Sequence, residues 1–166
     1  MLESVIFYSP LGAIRIAAEA DCIVRLDFVK VAEHAPAGNI ANSLLAAAQA
    51  QLAEYFAGKR RQFDLPLNPK GTEFQKKVWQ ALQTIPYGET RTYKDIAEAV
   101  GAPKGFRAVG MANHNNPIAI IIPCHRVIGS NGLLTGYAGG LEYKRALLSL
   151  ERGLPMYIEQ KPLTLI

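Results

Sequence analysis

Residues 116–127 constrain this 166-residue chain more than any other stretch. Ile118, Ala119, Ile120, Ile121 and Ile122 form a continuous apolar run that opens on Asn116-Pro117 and closes on Pro123, Cys124, His125, Arg126 and Val127. Such a run suits a short buried strand or core segment, and its proline-marked ends deliver a polar cluster to one place. Cys124 is the residue to weigh, because a thiolate is the strongest common protein nucleophile and forms more readily beside histidine or a cation. Side chains of adjacent residues on an extended segment point to opposite faces, so a turn at the cysteine and a relay through water are expected rather than a direct Cys124–His125 pair. An inert buried cysteine accounts for the spacing equally well.

Composition narrows the class. With 49% hydrophobic residues the chain can bury a core, as one ordinary domain or two small ones. No apolar run approaches a membrane span and no basic leader precedes one, so a cytoplasmic protein with no membrane partner is expected. Cys22 and Cys124 are too few for a disulfide framework, and both are read as free thiols. Residues 1–69 hold six Lys and Arg against seven Asp and Glu, whereas residues 70–166 hold twelve against seven. That asymmetry favours a polyanionic partner for the second half, although a solvated basic face is the commoner meaning of so small a surplus.

Along the chain, apolar runs at 5–8, 14–17 and 22–29, separated by turn residues, read as an antiparallel meander. Leu44, Leu45, Ala48, Leu52, Tyr55 and Phe56 share one helical face ahead of Gly58, and a short strand near 62–65 completes the sheet. The Pro- and Gly-containing stretch 66–71 marks a boundary, giving an N-terminal α/β lobe over 1–68 and a second domain over 69–166. In the second domain Thr72 and Gln75 form a capping-box pattern, and Phe74, Val78, Ala81, Leu82 and Ile85 form a buried stripe. Thr92 and Asp95 cap a second helix, Gly101 turns the chain, and Pro103 suits the first position of a helix over 103–113. Helix, turn, helix is a DNA-binding arrangement. Gly105 and Gly110 inside that helix imply the close approach of another backbone. A last helix over 141–151 carries Leu141, Leu147, Leu148 and Leu150, and Gly153 and Pro155 stop it. There is no P-loop and no metal-ligand spacing.

The run ending in Pro123-Cys124-His125-Arg126-Val127 resembles the active-site motif of the O6-alkylguanine-DNA alkyltransferase family. The likeness extends through Pro86-Tyr87-Gly88-Glu89-Thr90-Arg91-Thr92-Tyr93, Arg107-Ala108-Val109-Gly110 and Gly136-Tyr137-Ala138-Gly139-Gly140 to Glu151, covering about residues 70–153. It implies an α+β fold, with a small antiparallel sheet and covering helix followed by a mainly helical domain holding a winged helix-turn-helix. It also implies a monomer that binds double-stranded DNA in the minor groove and needs no cofactor. Some members hold zinc with two cysteines and two histidines in the first lobe. Only Cys22 and His34 are present here before residue 100, so no metal site is expected.

The resemblance implies that Cys124 takes the alkyl group from O6 of guanine, with O4-alkylthymine a second substrate. No residue is offered to release the thioether, so each chain acts once. Glu151 orients His125, which removes the thiol proton through a water, and Tyr93 donates to guanine N3. The carbonyls of Cys124 and Val127 accept the exocyclic amine, Tyr137 and Ala138 form the pocket wall, and Asn116 ties the reactive segment to the helix-turn-helix. Arg107 fills the space left by the extruded base. Thr92, Ala108, Gly110 and Arg126 belong to the DNA-binding set. Phe106 and Met111 depart from the small residues of many members, and Ala138 and Ala119 from a serine and a proline in some. A non-catalytic lesion-binding module is the alternative, set apart by its lack of the cysteine. A thiol hydrolase is the third reading, for which a Cys–His pair distant in sequence and turnover are expected.

Overall fold

A computed structural model describes residues 1–30, 42–132 and 140–156, which fall into two compact units. The first comprises Met1–Gly71 with Pro117–Ile121, and the second Thr72–Asn116 with the remainder of the chain. The segment 117–121 thus groups with the first unit, although it lies far beyond the boundary legible in the sequence. The expectations for Tyr137, Ala138 and His34 fall outside the described residues.

In the first unit the meander forms as β1 (Glu3–Ser9), β2 (Gly12–Glu19) and β3 (Cys22–Phe28), all antiparallel, with Val5 opposite Ile16 and Ile16 opposite Leu26. The β2–β3 connection turns through Ala20 and Asp21, both left-handed, which suits the twist of a two-residue hairpin. Central strand β2 buries Ala13, Ile14, Ile16, Ala17 and Ala18. Helix α1 (Ser43–Phe56) covers the sheet with Leu45, Ala48, Leu52, Tyr55 and Phe56; Asn42 caps it, accepting from the N–H groups of Leu44 and Leu45. The expected strand at 62–65 does not form. Gln51 takes the backbone there instead, accepting from Asp64 N at 2.9 Å and donating to Asp64 O at 3.1 Å. Pairing resumes only at Leu67, a parallel bridge to Ile23.

The run 118–122 is buried but is not a strand. Ile118 makes one parallel bridge to Leu26, held by Leu26 N to Pro117 O and Ala119 N to Leu26 O, both 2.9 Å. The chain then turns, with Ile120 in the left-handed region at φ 69°. That conformation is an outlier for a β-branched residue, and it occurs in a segment where Ile118, Ile120 and Ile122 are all nearly fully buried.

The second unit is helical, as expected. α2 (Glu73–Leu82) has the full Thr72/Gln75 capping box and ends at Leu82, with residues 83–85 in a turn. Trp79 is buried on it, and its indole donates to Ala112 O at 2.8 Å, satisfying a carbonyl in the last turn of a later helix. A two-residue strand β4 (Arg91–Thr92) leads into α3 (Tyr93–Ala99), which carries the predicted Thr92/Asp95 box. α4 is Phe106–His114, not 103–113. Residues 102–105 turn first, closed by Gly105 N to Ala102 O at 2.7 Å, and Gly105 is the N-cap. A side chain at Gly105 would meet the Ala102 carbonyl at 3.1 Å, so a backbone does approach it; beside Gly110 the nearest group is instead the ring of Tyr93 at 3.9 Å. α5 is Leu141–Glu151, with Leu147 and Leu148 buried and Leu141 exposed.

Candidate active site

The thiol lies at a turn, as expected. Cys124–Arg126 form one turn of 3-10 helix between Pro123 and a two-residue strand β5 (Val127–Ile128) that pairs in parallel with β4. Cys124 is 4% exposed, and Val127 is fully buried. Asn116 follows on the end of α4 and donates from Nδ2 to Ile122 O at 2.8 Å. Asn113, on α4, donates from Nδ2 to Cys124 O at 3.3 Å.

Behind the thiol stands a buried ionic cluster. His125 Nε2 lies 2.6 Å from Glu151 Oε2; Arg126 donates to Oε1 from Nε at 2.8 Å and to Oε2 from Nη2 at 3.1 Å. Gly88 N donates to Oε1 at 3.2 Å, and Arg126 Nη1 donates to Ile85 O at 2.7 Å. Burial alone would raise the Glu151 carboxyl, but His125 and Arg126 outweigh it and hold it well below the usual carboxylate range. Burial lowers the His125 imidazole, against the pull of Glu151 and with help from the charges of Arg126 and Lys144. A neutral imidazole beside an ionised carboxylate keeps its hydrogen on Nε2. Nδ1 is therefore a lone pair, and among the described residues it has no partner.

The sequence assigned Arg126 to DNA, and this is corrected. Its guanidinium is buried with the residue 7% exposed, fastened to a carboxylate and a carbonyl, and it lies 5.8 Å from the Tyr87 ring. A cation so engaged cannot also reach a phosphate. Arg107 and Ala108, by contrast, are exposed on α4 beside Phe106 and Met111, which are 51% and 62% exposed. Thr92 serves as the α3 cap, with its hydroxyl accepting from Asp95 N.

Two residues escaped the sequence reading. Lys144 is fully buried on α5, its Nζ 5.8 Å from the centroid of the Tyr93 ring. Burial pushes its ammonium down to about 8, against the opposing pull of Cys124. Burial likewise pushes the Cys124 thiol up to about 11, with the Asn116 amide and then the Lys144 charge pulling the other way. At neutral pH the site thus rests as a thiol and an ammonium, and the cation is placed to stabilise a thiolate once the proton leaves. Asn113 is the other, 1% exposed. Both had a signal: Lys144, Leu147, Leu148 and Glu151 fall at i, i+3, i+4 and i+7, so two charges occupy the buried stripe of α5, and Asn113 shares such a stripe with Val109 and Ala112.

Tyr93, at the start of α3, also lines an open cleft of about 870 Å³ whose walls include Phe106, Gly110, Ser130, Lys94 and Lys104. No group of three or more potential metal ligands occurs among the described residues.

Residues 2–69 match the family model for the 6-O-methylguanine DNA methyltransferase ribonuclease-like domain, and residues 73–153 match that for the 6-O-methylguanine DNA methyltransferase DNA binding domain. The chain is 56% identical over 149 residues to a methylated-DNA--protein-cysteine methyltransferase of Methanosarcina barkeri, an alignment covering 88% of this chain and 94% of the relative. To the constitutive methylated-DNA--protein-cysteine methyltransferase of Bacillus subtilis it is 53% identical over 156 residues, covering 87% and 92%. Among solved structures, that of Mycobacterium tuberculosis OGT in complex with DNA superposes with a TM-score of 0.81 at 47% identity, covering 90% of this chain and 93% of that one.

Proposed function

The chain belongs to the 6-O-methylguanine DNA methyltransferase family, and from that premise we propose that it repairs DNA by moving the alkyl group of O6-alkylguanine onto its own Cys124. The observation that carries this reading is the buried Cys124–His125–Glu151–Arg126 cluster: a nucleophile, a neutral base with an unpaired Nδ1, and a carboxylate that fixes its tautomer. The thiol proton passes through a water to His125 Nδ1, and the imidazolium so formed is held by Glu151. The sulfur attacks the alkyl carbon, the carbon–O6 bond breaks, and its electron pair stays with guanine. Tyr93 supplies a proton to the leaving base, and the Lys144 ammonium offsets the negative charge gathered on sulfur.

The lesion reaches this thiol by leaving the duplex stack. α4 lies in the minor groove with Arg107 in the vacated space, and Lys94 and Lys104 face phosphates from the walls of the cleft. A protein that spends its thiol as a reagent requires a reducing compartment, which the cytoplasm provides. Among the described residues no helix is long and apolar enough to cross a membrane. With O6-methylguanine duplex in large excess, transfer should plateau at one alkyl group per chain, counted with radiolabelled substrate. Continued release of product beyond that plateau would indicate a hydrolytic enzyme instead.

A further inference from the structure

α4 carries its largest exposed side chains where many members of the family have small ones. Phe106 is 51% exposed and Met111 62% exposed, on either side of Arg107 in a helix whose buried face is Val109, Ala112 and Asn113. Large apolar side chains left in water on one face mark a surface that meets a partner. Positions four apart share a row along a helix, so Arg107 and Met111 make one row and Phe106 and Gly110 the next. The second row borders the cleft, which Phe106 and Gly110 line together with Tyr93, Lys94 and Lys104. The described residues that line it include two lysines and no carboxylate, a charge that suits a phosphodiester strand.

Size decides how such a face can meet DNA. A helix with its side chains is about 10–12 Å across, whereas the minor groove of undistorted B-DNA is about 6 Å wide. Glycine and alanine narrow a helix on the side that enters the groove, but Phe106 and Met111 widen it. The duplex therefore has to open. Proteins that open the minor groove do so with apolar wedges, phenylalanine, leucine and methionine among them, pushed between base steps. Phe106 stands between Arg107, assigned to the vacated stack, and the cleft that Tyr93 lines. A base turned out toward Tyr93 has to pass this ring to return.

We infer that Phe106 is a second wedge, whose ring enters the base stack beside Arg107 and holds the step open while the alkylated guanine is outside, which makes it a positioning residue for transfer from duplex DNA. The inference rests on the proposed repair reaction. The ring gains apolar cover only in the opened duplex, so it lowers the barrier to extrusion and adds little affinity for a closed one.

The experiment measures single-turnover transfer at saturating protein from an O6-methylguanine duplex and from the same strand unpaired, which has no groove to open. Phe106→Ala should slow the duplex reaction by about 10- to 100-fold, the loss expected when one large apolar side chain is no longer buried, and leave the single-strand rate close to wild type. Phe106→Leu, which keeps an apolar wedge, should recover most of the duplex rate. An unchanged saturating duplex rate in Phe106→Ala would overturn the inference, as would equal slowing on both substrates, which marks a role in the fold or the pocket. A leucine variant as slow as the alanine one would overturn it too, assigning the ring to stacking on a base instead. If the unpaired strand does not react with the wild type, the order of wild type, Phe106→Leu and Phe106→Ala on the duplex still decides. Absence of wild-type transfer from the duplex would instead contradict the proposed function on which the inference stands.

Discussion

Glu151→Gln is expected to cost about 3–5 kcal/mol of folding stability and to slow alkyl transfer at neutral pH by about 10²- to 10⁴-fold. The carboxylate is an acceptor for His125, for Arg126 twice and for Gly88 N, and an amide of the same shape offers only one oxygen to those donors. The Arg126 guanidinium, 7% exposed, would lose its counter-charge where water cannot replace it. The least unfavourable rotamer gives the amide oxygen to Arg126 and points the amide NH₂ at His125, which moves the imidazole hydrogen to Nδ1 and removes the base. Urea unfolding reads the first effect and single-turnover rates the second.

The pH dependences separate the two roles of Glu151. Because the thiol is pushed up to about 11, raising the pH toward that value lets hydroxide do the work of the relay, and the rate deficit of Glu151→Gln should shrink. A deficit constant at all pH values would make Glu151 a purely structural residue. In stability the sign runs the other way. The Glu151 carboxyl is held low in the folded state, so its contribution is complete above the unfolded value near ~4.3 and is lost as pH falls below it. His125 is also held low by burial, and its neutral form costs stability as pH falls below ~6.5, where the unfolded histidine takes a proton. The wild type should therefore lose stability in two stages on acidification, and Glu151→Gln should lack the lower stage.

Cys124→Ser is expected to abolish transfer while leaving duplex binding within a few-fold of wild type. A serine hydroxyl at this place is a far weaker nucleophile than a thiol, and a base that suffices for the thiol does not ionise it. The exposed residues of α4, Arg107 and Ala108, are untouched by the substitution, as are the cleft lysines Lys94 and Lys104. Gel-shift titration of an O6-methylguanine duplex against an undamaged one measures the binding. Residual transfer by Cys124→Ser would place the acceptor elsewhere, with Cys22 the other thiol in the chain.

The elements most legible in the sequence were those with a local cause. Both capping boxes, the meander and the turn at Cys124 follow from short-range chemistry, and each is present. The losses come from long-range context. Residues 62–65 have strand-like composition, yet the Gln51 amide claims both backbone groups of Asp64. The isoleucine run is buried as its composition demands, but a β-branched residue gives no local signal for the left-handed turn at Ile120. Pro103 starts a turn that α4 follows at Phe106, since Gly105 must pass close to the Ala102 carbonyl.

In the site, Cys124 and His125 stand out by their chemistry, whereas Glu151 is marked only by the family resemblance, and charge in a sequence does not disclose which way it faces. Arg126 looks like a DNA contact beside an active-site motif and is in fact the inner partner of Glu151. Lys144 looks like one more surface lysine until its place on the Leu147, Leu148 and Glu151 stripe is noticed. Asn113 carries no chemistry of its own in sequence, and its interest arises only because its amide meets the Cys124 carbonyl.

The central claim is that Cys124 is the final resting place of the alkyl group. Intact mass of the wild-type protein after incubation with an O6-methylguanine duplex, followed by peptide mapping, tests it most directly. Every active chain should gain the mass of one methylene, the gain should lie in the peptide containing Cys124, and further substrate should add nothing. An unmodified protein that binds the duplex, or a methyl group mapped to any other residue, would contradict it.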